Sequence, residues 1–251
     1  MALCDIHWFS SVLDKMVGTL VVLPDKGEGP FPTFYLLHGL SDDYTSWHRR
    51  TRIEWYVRDL PLIVVMPDAY RGFYTDNAHG PDYARYFAEE LVGMVERNFP
   101  ARAARSARCI GGLSMGGYGA LRLALGFPHL FASANSHSGA VLHGSRPPQG
   151  PIAQEMKRVF GARPMGSEHD LLELAERCKG AGKVPRLRID CGHEDELLDD
   201  NRAFHERLLE LDVHHEYEEF PGGHNWDYWD YHVNLALMFH ARNLKVRPIE
   251  A

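Results

Sequence analysis

Short apolar segments of high β-propensity alternate with helical patterns along most of this 251-residue chain. Several of the segments are apolar at every position, which is typical of strands that are covered on both faces of a sheet. The alternation predicts an α/β fold with a mostly parallel central sheet and helices on both of its faces. The predicted strands are residues 19–23, 33–38, 62–66, 108–113, 132–136, 187–191 and 215–220.

The segments between these strands carry helical spacing. Residues 82–97 bear an apolar stripe at three- and four-residue spacing, with Asp82 available as the N-cap and Pro100 just beyond the end. At the amino end of the chain, segments 6–12 and 17–23 are close enough in sequence to form an antiparallel hairpin at the sheet edge. The other predicted helices are one with the stripe Leu197, Phe204, Leu208 and Leu211, and a last one from near Trp226 to Arg242.

Residues 142–170 interrupt the alternation of strands and helices, because they contain four prolines and four glycines. Proline has no backbone N–H to donate to a neighbouring strand, so this stretch does not suit a central strand. We expect an excursion over the carboxyl edge of the sheet, with a short helix near residues 152–160. It would form a small cap that shapes a pocket, although a surface insertion without a role is the alternative. With this cap included, the length fits one α/β domain over residues 1–251.

The strongest local motif is CIGGLSMGGYGALRLAL, in which an apolar strand leads through GLSMG at residues 112–116 into a helix-forming run. This strand–turn–helix context is what a G-x-S-x-G nucleophile motif requires. The serine backbone is strained in such a turn, so the residues two before and two after it must be small. The turn would expose the Ser114 hydroxyl at a helix N-terminus, where developing negative charge is favoured. Ser114 is therefore the candidate nucleophile, against the alternative of a plain glycine-rich turn.

A serine nucleophile needs a base and an orienting carboxylate. In a doubly wound sheet, these groups are expected beyond the carboxyl ends of later strands. Asp195 follows one predicted strand within the turn GHED, and His224 follows the next strand within the turn PGGH. The resulting order of Ser114, Asp195 and His224 is the chain order of α/β-hydrolases.

Neighbouring side chains compete for these two roles. Glu194 and Glu196 flank Asp195 and remain alternatives for the acid, although the turn after the strand favours Asp195. The chain has fifteen histidines, but among the later ones only His224 lies in a glycine-bearing turn straight after a strand. The other late histidines lie elsewhere: His214 and His215 at the start of a predicted strand, and His232 and His240 in the last predicted helix.

Ester hydrolysis places negative charge on the carbonyl oxygen of the substrate, and two backbone N–H groups are its usual stabiliser. One N–H is expected from Met115, the residue after the nucleophile, and the other from the loop after the third strand. In that loop, Gly39 permits an unusual turn and Leu40 would point its N–H into the site. We interpret His38 as a structural group of this loop and not as the base.

Composition and charge exclude other classes of function. The 27 basic and 34 acidic residues give a net charge of −7, which disfavours nucleic-acid binding. No apolar stretch approaches the roughly 20 residues that a membrane span needs, and the amino terminus lacks a secretory pattern. The four cysteines include no C-x-x-C pair, so we expect reduced thiols in a cytoplasmic protein. Neither an H-E-x-x-H motif nor an i,i+4 histidine pair occurs, and we expect no metal and no cofactor.

Five segments resemble one branch of the α/β-hydrolases, which includes esterase D, S-formylglutathione hydrolases and tributyrin esterases. They are HGLSDDYTSW, LIVVMPDAYRGFYTDN, GLSMGGYGAL, CGHEDELLDDN and GGHNWDYWD. The resemblance runs from the first strand to the last helix. It implies Ser114 as nucleophile, His224 as base and Asp195 as the partner of the base. It likewise implies Leu40 and Met115 as oxyanion donors, and no cofactor.

Aromatic residues near the proposed loops are candidate walls of a substrate pocket. Trp47, Tyr74 and Trp226 could stack on an aromatic acyl group or a sugar. Packing beneath a loop is the alternative for each of them, and is the favoured interpretation for Trp229 on the last helix. His193 stands where relatives often carry threonine, and the cap is particular to this chain, so both leave the substrate open.

These features together predict a serine carboxylesterase that hydrolyses short-chain acyl esters through an acyl-enzyme. Acetyl and feruloyl esters of sugars are the next candidate substrates. An S-formylglutathione hydrolase with the same triad is the alternative, and an acyltransferase or a catalytically inactive binding protein on this fold is less favoured. We expect a small-molecule ester substrate and no nucleic-acid or membrane partner. A homo-oligomer stays open because relatives are often oligomers.

Overall fold

One eight-stranded sheet organises residues 1–249, the part of the chain that the computed structural model describes. Its strands are β1 (Ala2–Ser10), β2 (Lys15–Leu23), β3 (Thr33–Leu37), β4 (Ile63–Pro67), β5 (Arg108–Leu113), β6 (Ser133–His137), β7 (Arg186–Gly192) and β8 (His215–Phe220). They lie in the order β1-β2-β4-β3-β5-β6-β7-β8. Strand β2 runs antiparallel to β1 and β4, and all other neighbours are parallel. The mostly parallel sheet and its antiparallel edge hairpin are therefore confirmed, while residues 250 and 251 of the predicted domain lie outside the described residues.

Helices cover both faces of this sheet. They are α1 (Ser46–Arg50), α2 (Ile53–Val57), α3 (Tyr83–Arg85), α4 (Val92–Asn98), α5 (Met115–Gly126), α6 (Ala153–Phe160), α7 (Leu171–Gly180), α8 (Leu198–Glu210) and α9 (Trp226–Leu244). Successive residues of an inner strand point to opposite faces, so both faces of each strand must be apolar. In β3, Tyr35 packs in the core under α4, α5, α7 and α8, whereas Phe34 and Leu36 pack in the core under α1, α2 and α9.

The edge hairpin ends earlier than its sequence indicates. Strand β1 stops at Ser10, because the backbone then turns back into β2. The carboxylate of Glu90 holds this turn by accepting hydrogen bonds from the N–H groups of Ser11 (2.9 Å) and Val12 (3.2 Å). The predicted strand over residues 6–12 therefore loses its last two positions to a contact with a distant segment.

The helix predicted over residues 82–97 is present with two differences. Its middle part, Tyr86–Leu91, is a π-helical turn between α3 and α4. Asp82 occupies the N-cap position, but its side chain makes no capping hydrogen bond. The expected cap is therefore wrong, because the Asp82 carboxylate accepts from the guanidinium of Arg85 at 2.8 Å instead.

The proline- and glycine-rich segment 142–170 contains α6, close to the predicted short helix. Phe160 at the end of α6 is 2% exposed, and its ring packs edge-on against Phe73 and Tyr118. The segment is therefore anchored in the core by an aromatic side chain. Helix α7 follows directly and was not predicted.

Parallel strands end at a common edge, so the loops after β3, β5, β7 and β8 meet at the carboxyl edge of the sheet. Those loops carry every candidate catalytic residue. Among residues 1–249, no helix combines the length and the apolar character that crossing a membrane requires.

Candidate active site

The serine of the GLSMG turn lies between β5 and α5 with a strained backbone. Ser114 has φ 51° and ψ −115°, outside the regions that non-glycine residues normally adopt. Its N–H donates to the carbonyl of His137 at 2.9 Å. A Cβ on Gly112 would lie 2.7 Å from backbone atoms of both Gly116 and Leu37, so the turn tolerates no side chain there. The glycines thus let β3, β5 and α5 approach closely enough to hold the strained serine.

A chain of hydrogen bonds joins the three candidate catalytic side chains. The Oγ of Ser114 lies 3.0 Å from Nε2 of His224. The Nδ1 of that imidazole lies 3.0 and 3.1 Å from the two carboxylate oxygens of Asp195. Since the carboxylate accepts, Nδ1 carries the proton and Nε2 is free to accept the proton of the serine hydroxyl. The arrangement has the order and spacing of a serine–histidine–aspartate triad.

The Asp195 carboxylate is buried but remains ionised at neutral pH. Its side chain has no exposed surface, and the N–H of Leu197 donates to it at 2.8 Å. Burial alone would raise the pKa of Asp195, but hydrogen bonds from His224 and Leu197 outweigh burial and lower it. A buried anion at this place would stabilise a positive charge on the His224 imidazole.

The two acids that flank Asp195 do not hydrogen-bond to His224. Glu194 is exposed, and its carboxylate accepts the N–H of Gly222 at 2.6 Å, which ties the loop after β7 to the loop after β8. Glu196 is exposed as well. Of the three consecutive acids 194–196, only Asp195 lies within hydrogen-bonding distance of the imidazole.

Two backbone N–H groups beside Ser114 are available to a ligand. Within residues 1–249, neither the N–H of Leu40 nor that of Met115 donates a hydrogen bond to another protein group. Met115 is the first residue of α5, where an N–H has no partner inside the helix. The two groups follow β3 and β5, which are hydrogen-bonded neighbours in the sheet.

His38 supports the loop that carries Leu40. Its ring is 1% exposed, and Nδ1 donates to the carbonyl of Gly39 at 2.9 Å. Its Nε2 accepts the N–H of Ala69 at 3.1 Å. With both nitrogens engaged by backbone groups, this imidazole fixes the loop and has no free nitrogen for proton transfer.

The three aromatic residues expected as pocket walls differ in exposure. Trp47 and Tyr74 are each 1% exposed. The indole of Trp47 donates to the carbonyl of Leu37, and the hydroxyl of Tyr74 donates to that of His38. Both therefore support the loop that carries Leu40 from beneath, in place of the expected open wall. Trp226 keeps part of its ring exposed and packs edge-on against Trp47, with ring centroids 5.3 Å apart.

One buried polar group beneath the site was not predicted from the sequence. His137 and Asp190 pair across β6 and β7, and the hydroxyl of Tyr228 donates to the same carboxylate at 3.0 Å. Burial and the adjacent Asp190 raise the pKa of Tyr228, which keeps its hydroxyl a donor. The available signal was an aspartate within a predicted strand, at position 190. Among residues 1–249, no cluster of histidine, cysteine, aspartate or glutamate side chains has the arrangement of a metal site.

Known proteins share both the sequence and the fold of this chain. A sequence model of the family described as "Putative esterase" matches residues 10–239. An acetyl esterase of Caldicellulosiruptor saccharolyticus is 31% identical over 258 residues, which cover 94% of this chain and 97% of that protein.

Two solved structures from Staphylococcus aureus, each 30% identical, cover 95% of this chain and 98% of their own. They are FphF, a fluorophosphonate-binding serine hydrolase (TM-score 0.87), and the S-formylglutathione hydrolase FrmB (TM-score 0.84). The chain therefore belongs to this esterase family and is a carboxylic ester hydrolase with an α/β-hydrolase fold.

Proposed function

We propose that the chain is a serine carboxylesterase in which Ser114 is the nucleophile, His224 the general base and Asp195 its orienting acid. The observation that carries this proposal is the continuous hydrogen-bond chain from the Ser114 hydroxyl through the imidazole to a buried, ionised carboxylate. The N–H groups of Leu40 and Met115 form the oxyanion hole.

Each half of the reaction moves one proton through His224. The Ser114 oxygen attacks the acyl carbon while its proton passes to Nε2, and the carbonyl oxygen becomes an anion held by the two N–H groups. Collapse breaks the ester bond, and the alcohol leaves with the proton from Nε2. Water then attacks the acyl-enzyme by the same route, so a carboxylic acid is released and Ser114 regains its proton.

Short acyl esters, acetyl esters first, are the proposed substrates. The similarity to an acetyl esterase over nearly the full length of both proteins supports this choice. Thioester hydrolysis, as in an S-formylglutathione hydrolase, is the second candidate, and the similarity to FrmB favours it. Comparison of kcat/KM for p-nitrophenyl acetate, butyrate and decanoate, methyl ferulate, acetylated xylan and S-formylglutathione separates the candidates. A steep decrease beyond short acyl chains is expected.

Segment 142–170 acts as a cap of the single domain that this chain forms. The guanidinium of Arg71 binds Glu155 of α6 at 2.8 Å and the Ser41 hydroxyl, next to Leu40, at 2.6 Å. At the other end of the segment, Arg146 pairs with Asp200, five residues after Asp195. These contacts support a cap that borders both the loop that carries Leu40 and the first turn of α8. The four free cysteines support a reducing compartment, the cytoplasm.

Replacement of the nucleophile tests the whole proposal. Ser114→Ala should decrease kcat by about 10⁴-fold or more and abolish covalent labelling by a fluorophosphonate. Ser106→Ala is the matched control, because Ser106 is exposed at the opposite end of β5. Retention of the full esterase rate by Ser114→Ala would overturn the proposal.

A further inference from the structure

The loop that carries His224 contains two glycines, and proton transfer requires the imidazole within it to be held in one orientation. The loop joins β8 to α9 through Gly222 and Gly223, and Gly222 has φ +124°, a conformation that side chains rarely adopt. The two hydrogen bonds of His224 leave from opposite nitrogens of the ring. Both bonds form only when the ring has the right orientation about its Cβ–Cγ bond, and χ2 of histidine has a broad distribution. A packing contact on the ring would select that orientation.

Trp229 supplies a contact of this kind. Its ring centroid lies 4.9 Å from that of His224, and the two ring planes are perpendicular. This edge-to-face arrangement is a favourable geometry for aromatic pairs. The indole lies on the first turns of α9, which begins at the Asn225 N-cap, where the side chain accepts from the N–H of Tyr228 at 3.1 Å. Trp229 is 5% exposed, so it has little freedom to move away.

Ser138 holds the indole from the opposite side. The Nε1–H of Trp229 donates to the Ser138 hydroxyl at 3.2 Å. Ser138 is fully buried directly after β6, and its own N–H donates to the carbonyl of Asp190 at 2.8 Å. Its φ of 48° is unusual for a non-glycine residue, as is that of Ser114. Backbone strain of this kind persists only where surrounding contacts enforce it, and is concentrated at functional sites.

We infer that Trp229, anchored by the Ser138 hydroxyl, is a positioning residue that fixes the plane of the His224 imidazole for proton transfer. The inference rests on the proposed triad. The Trp229 ring packs against the His224 imidazole, so its effect on the reaction would pass through His224. Small errors in the placement of a catalytic group decrease kcat strongly, by up to about 100-fold for a shift near 1 Å.

Three variants test this role on the full chain with p-nitrophenyl acetate. Trp229→Leu should decrease kcat about 10- to 100-fold with little change in KM. Trp229→Phe retains an aromatic ring but loses the Nε1 donor, and Ser138→Ala loses the acceptor of the same bond. Each should decrease kcat several-fold. Ser138→Ala also removes a hydrogen bond to the Asp195 carboxylate, so the double variant should be no worse than Ser138→Ala, because Trp229→Phe then has no further hydrogen bond to remove.

A second readout separates positioning from loss of folding. The proton between Nδ1 of His224 and Asp195 should give a far-downfield NMR resonance, which broadens or disappears in Trp229→Leu and is partly restored in Trp229→Phe. Trp8→Leu is the matched control, since the Trp8 indole donates to the Thr19 hydroxyl at the same 3.2 Å in the edge hairpin. This control should keep its kcat and its resonance.

The outcomes distinguish this inference from the proposed function. If Ser114→Ala is inactive while Trp229→Leu keeps the wild-type kcat and resonance, the positioning role is wrong and the triad stands. If Trp229→Leu does not fold, Ser138→Ala and Trp229→Phe decide, and unchanged kcat in both would overturn the inference. An active Ser114→Ala protein would remove the triad on which the inference depends.

Discussion

His137 and Asp190 form a second histidine–aspartate pair, buried in the core. The imidazole Nδ1 lies 2.9 Å from both carboxylate oxygens, and neither side chain has any exposed surface. The backbone carbonyl of His137 accepts the N–H of Ser114, and the carboxylate of Asp190 also accepts the hydroxyl of Tyr228 at the start of α9. The pair thus links the turn that carries Ser114 to the helix that follows His224.

Asp190→Asn should destabilise the protein by about 3 kcal/mol, because a buried pair that loses one partner leaves an uncompensated polar group. An asparagine would turn an amide donor toward either the His137 N–H or the Tyr228 hydroxyl. Urea unfolding at pH 7.5 measures this effect. Asp199→Asn is the control, since Asp199 is 97% exposed and should change stability by less than about 0.5 kcal/mol. Equal stability of the two variants would contradict a structural role for the buried pair.

Asp195→Asn should decrease kcat by about 10⁴-fold with little change in KM, because an amide can hold the wrong imidazole tautomer. Steady-state kinetics on p-nitrophenyl acetate measures the effect. Glu194→Gln serves as the comparison, since Glu194 binds only the Gly222 N–H in this region and should retain most of the activity. A reversed ranking of the two variants would assign the acid to Glu194.

Gly39→Ala should decrease kcat about 100-fold, because a Cβ there would lie 2.5 Å from Leu113 and displace the loop that carries the Leu40 N–H. Loss of one oxyanion donor affects the transition state more than the bound ester, so KM should change little. The matched control is Gly180→Ala at the end of α7, where a Cβ meets only open space. A Gly39→Ala enzyme with the kcat of the control would show that the Leu113 side chain yields and that the loop is not displaced.

Stability should decrease as the pH falls from about 6.5 to 4, because two buried histidines resist protonation. Burial lowers the pKa of His240 to about 3 and that of His169 to about 4. The unfolded chain binds more protons in this window, since an unfolded histidine has a pKa of about 6.5. At pH 5 each histidine should cost about 2 kcal/mol relative to pH 7.5.

Urea unfolding at pH 7.5 and pH 5 checks this dependence. His169→Gln keeps an acceptor for the Thr75 hydroxyl but cannot titrate, so it should lose less stability between the two pH values than the wild type. The same loss in both proteins would show that His169 does not contribute.

Sequence patterns predict this fold well where local signals and sheet geometry agree. Parallel strands deliver their following loops to one edge, so the placement of Ser114, Asp195 and His224 follows from strand order and turn residues. Contacts between distant segments were not predictable in the same way. Strand β1 ends early because Glu90, 79 residues further along the chain, binds its turn. Asp82 fails as a cap for a local reason, since Arg85 three residues later competes for its carboxylate.

The buried pair illustrates this limit most clearly. His137 and Asp190 are partners in the register between β6 and β7, a pairing that exists only after the sheet has formed. Likewise, the burial of Trp47 depends on a hydrogen bond to the end of β3, which no spacing in the sequence reveals.

The left-handed backbone of Ser114 also implies a trade-off between thermal stability and catalysis. A non-glycine residue with φ 51° and ψ −115° carries strain of about 1–3 kcal/mol, which the folded protein retains in every resting molecule. Glycine at that position would relieve the strain and remove the proposed nucleophile. If Ser114 is the nucleophile, selection for heat resistance alone would favour inactive descendants of this esterase, and selection for turnover would keep a serine in a place suited to glycine.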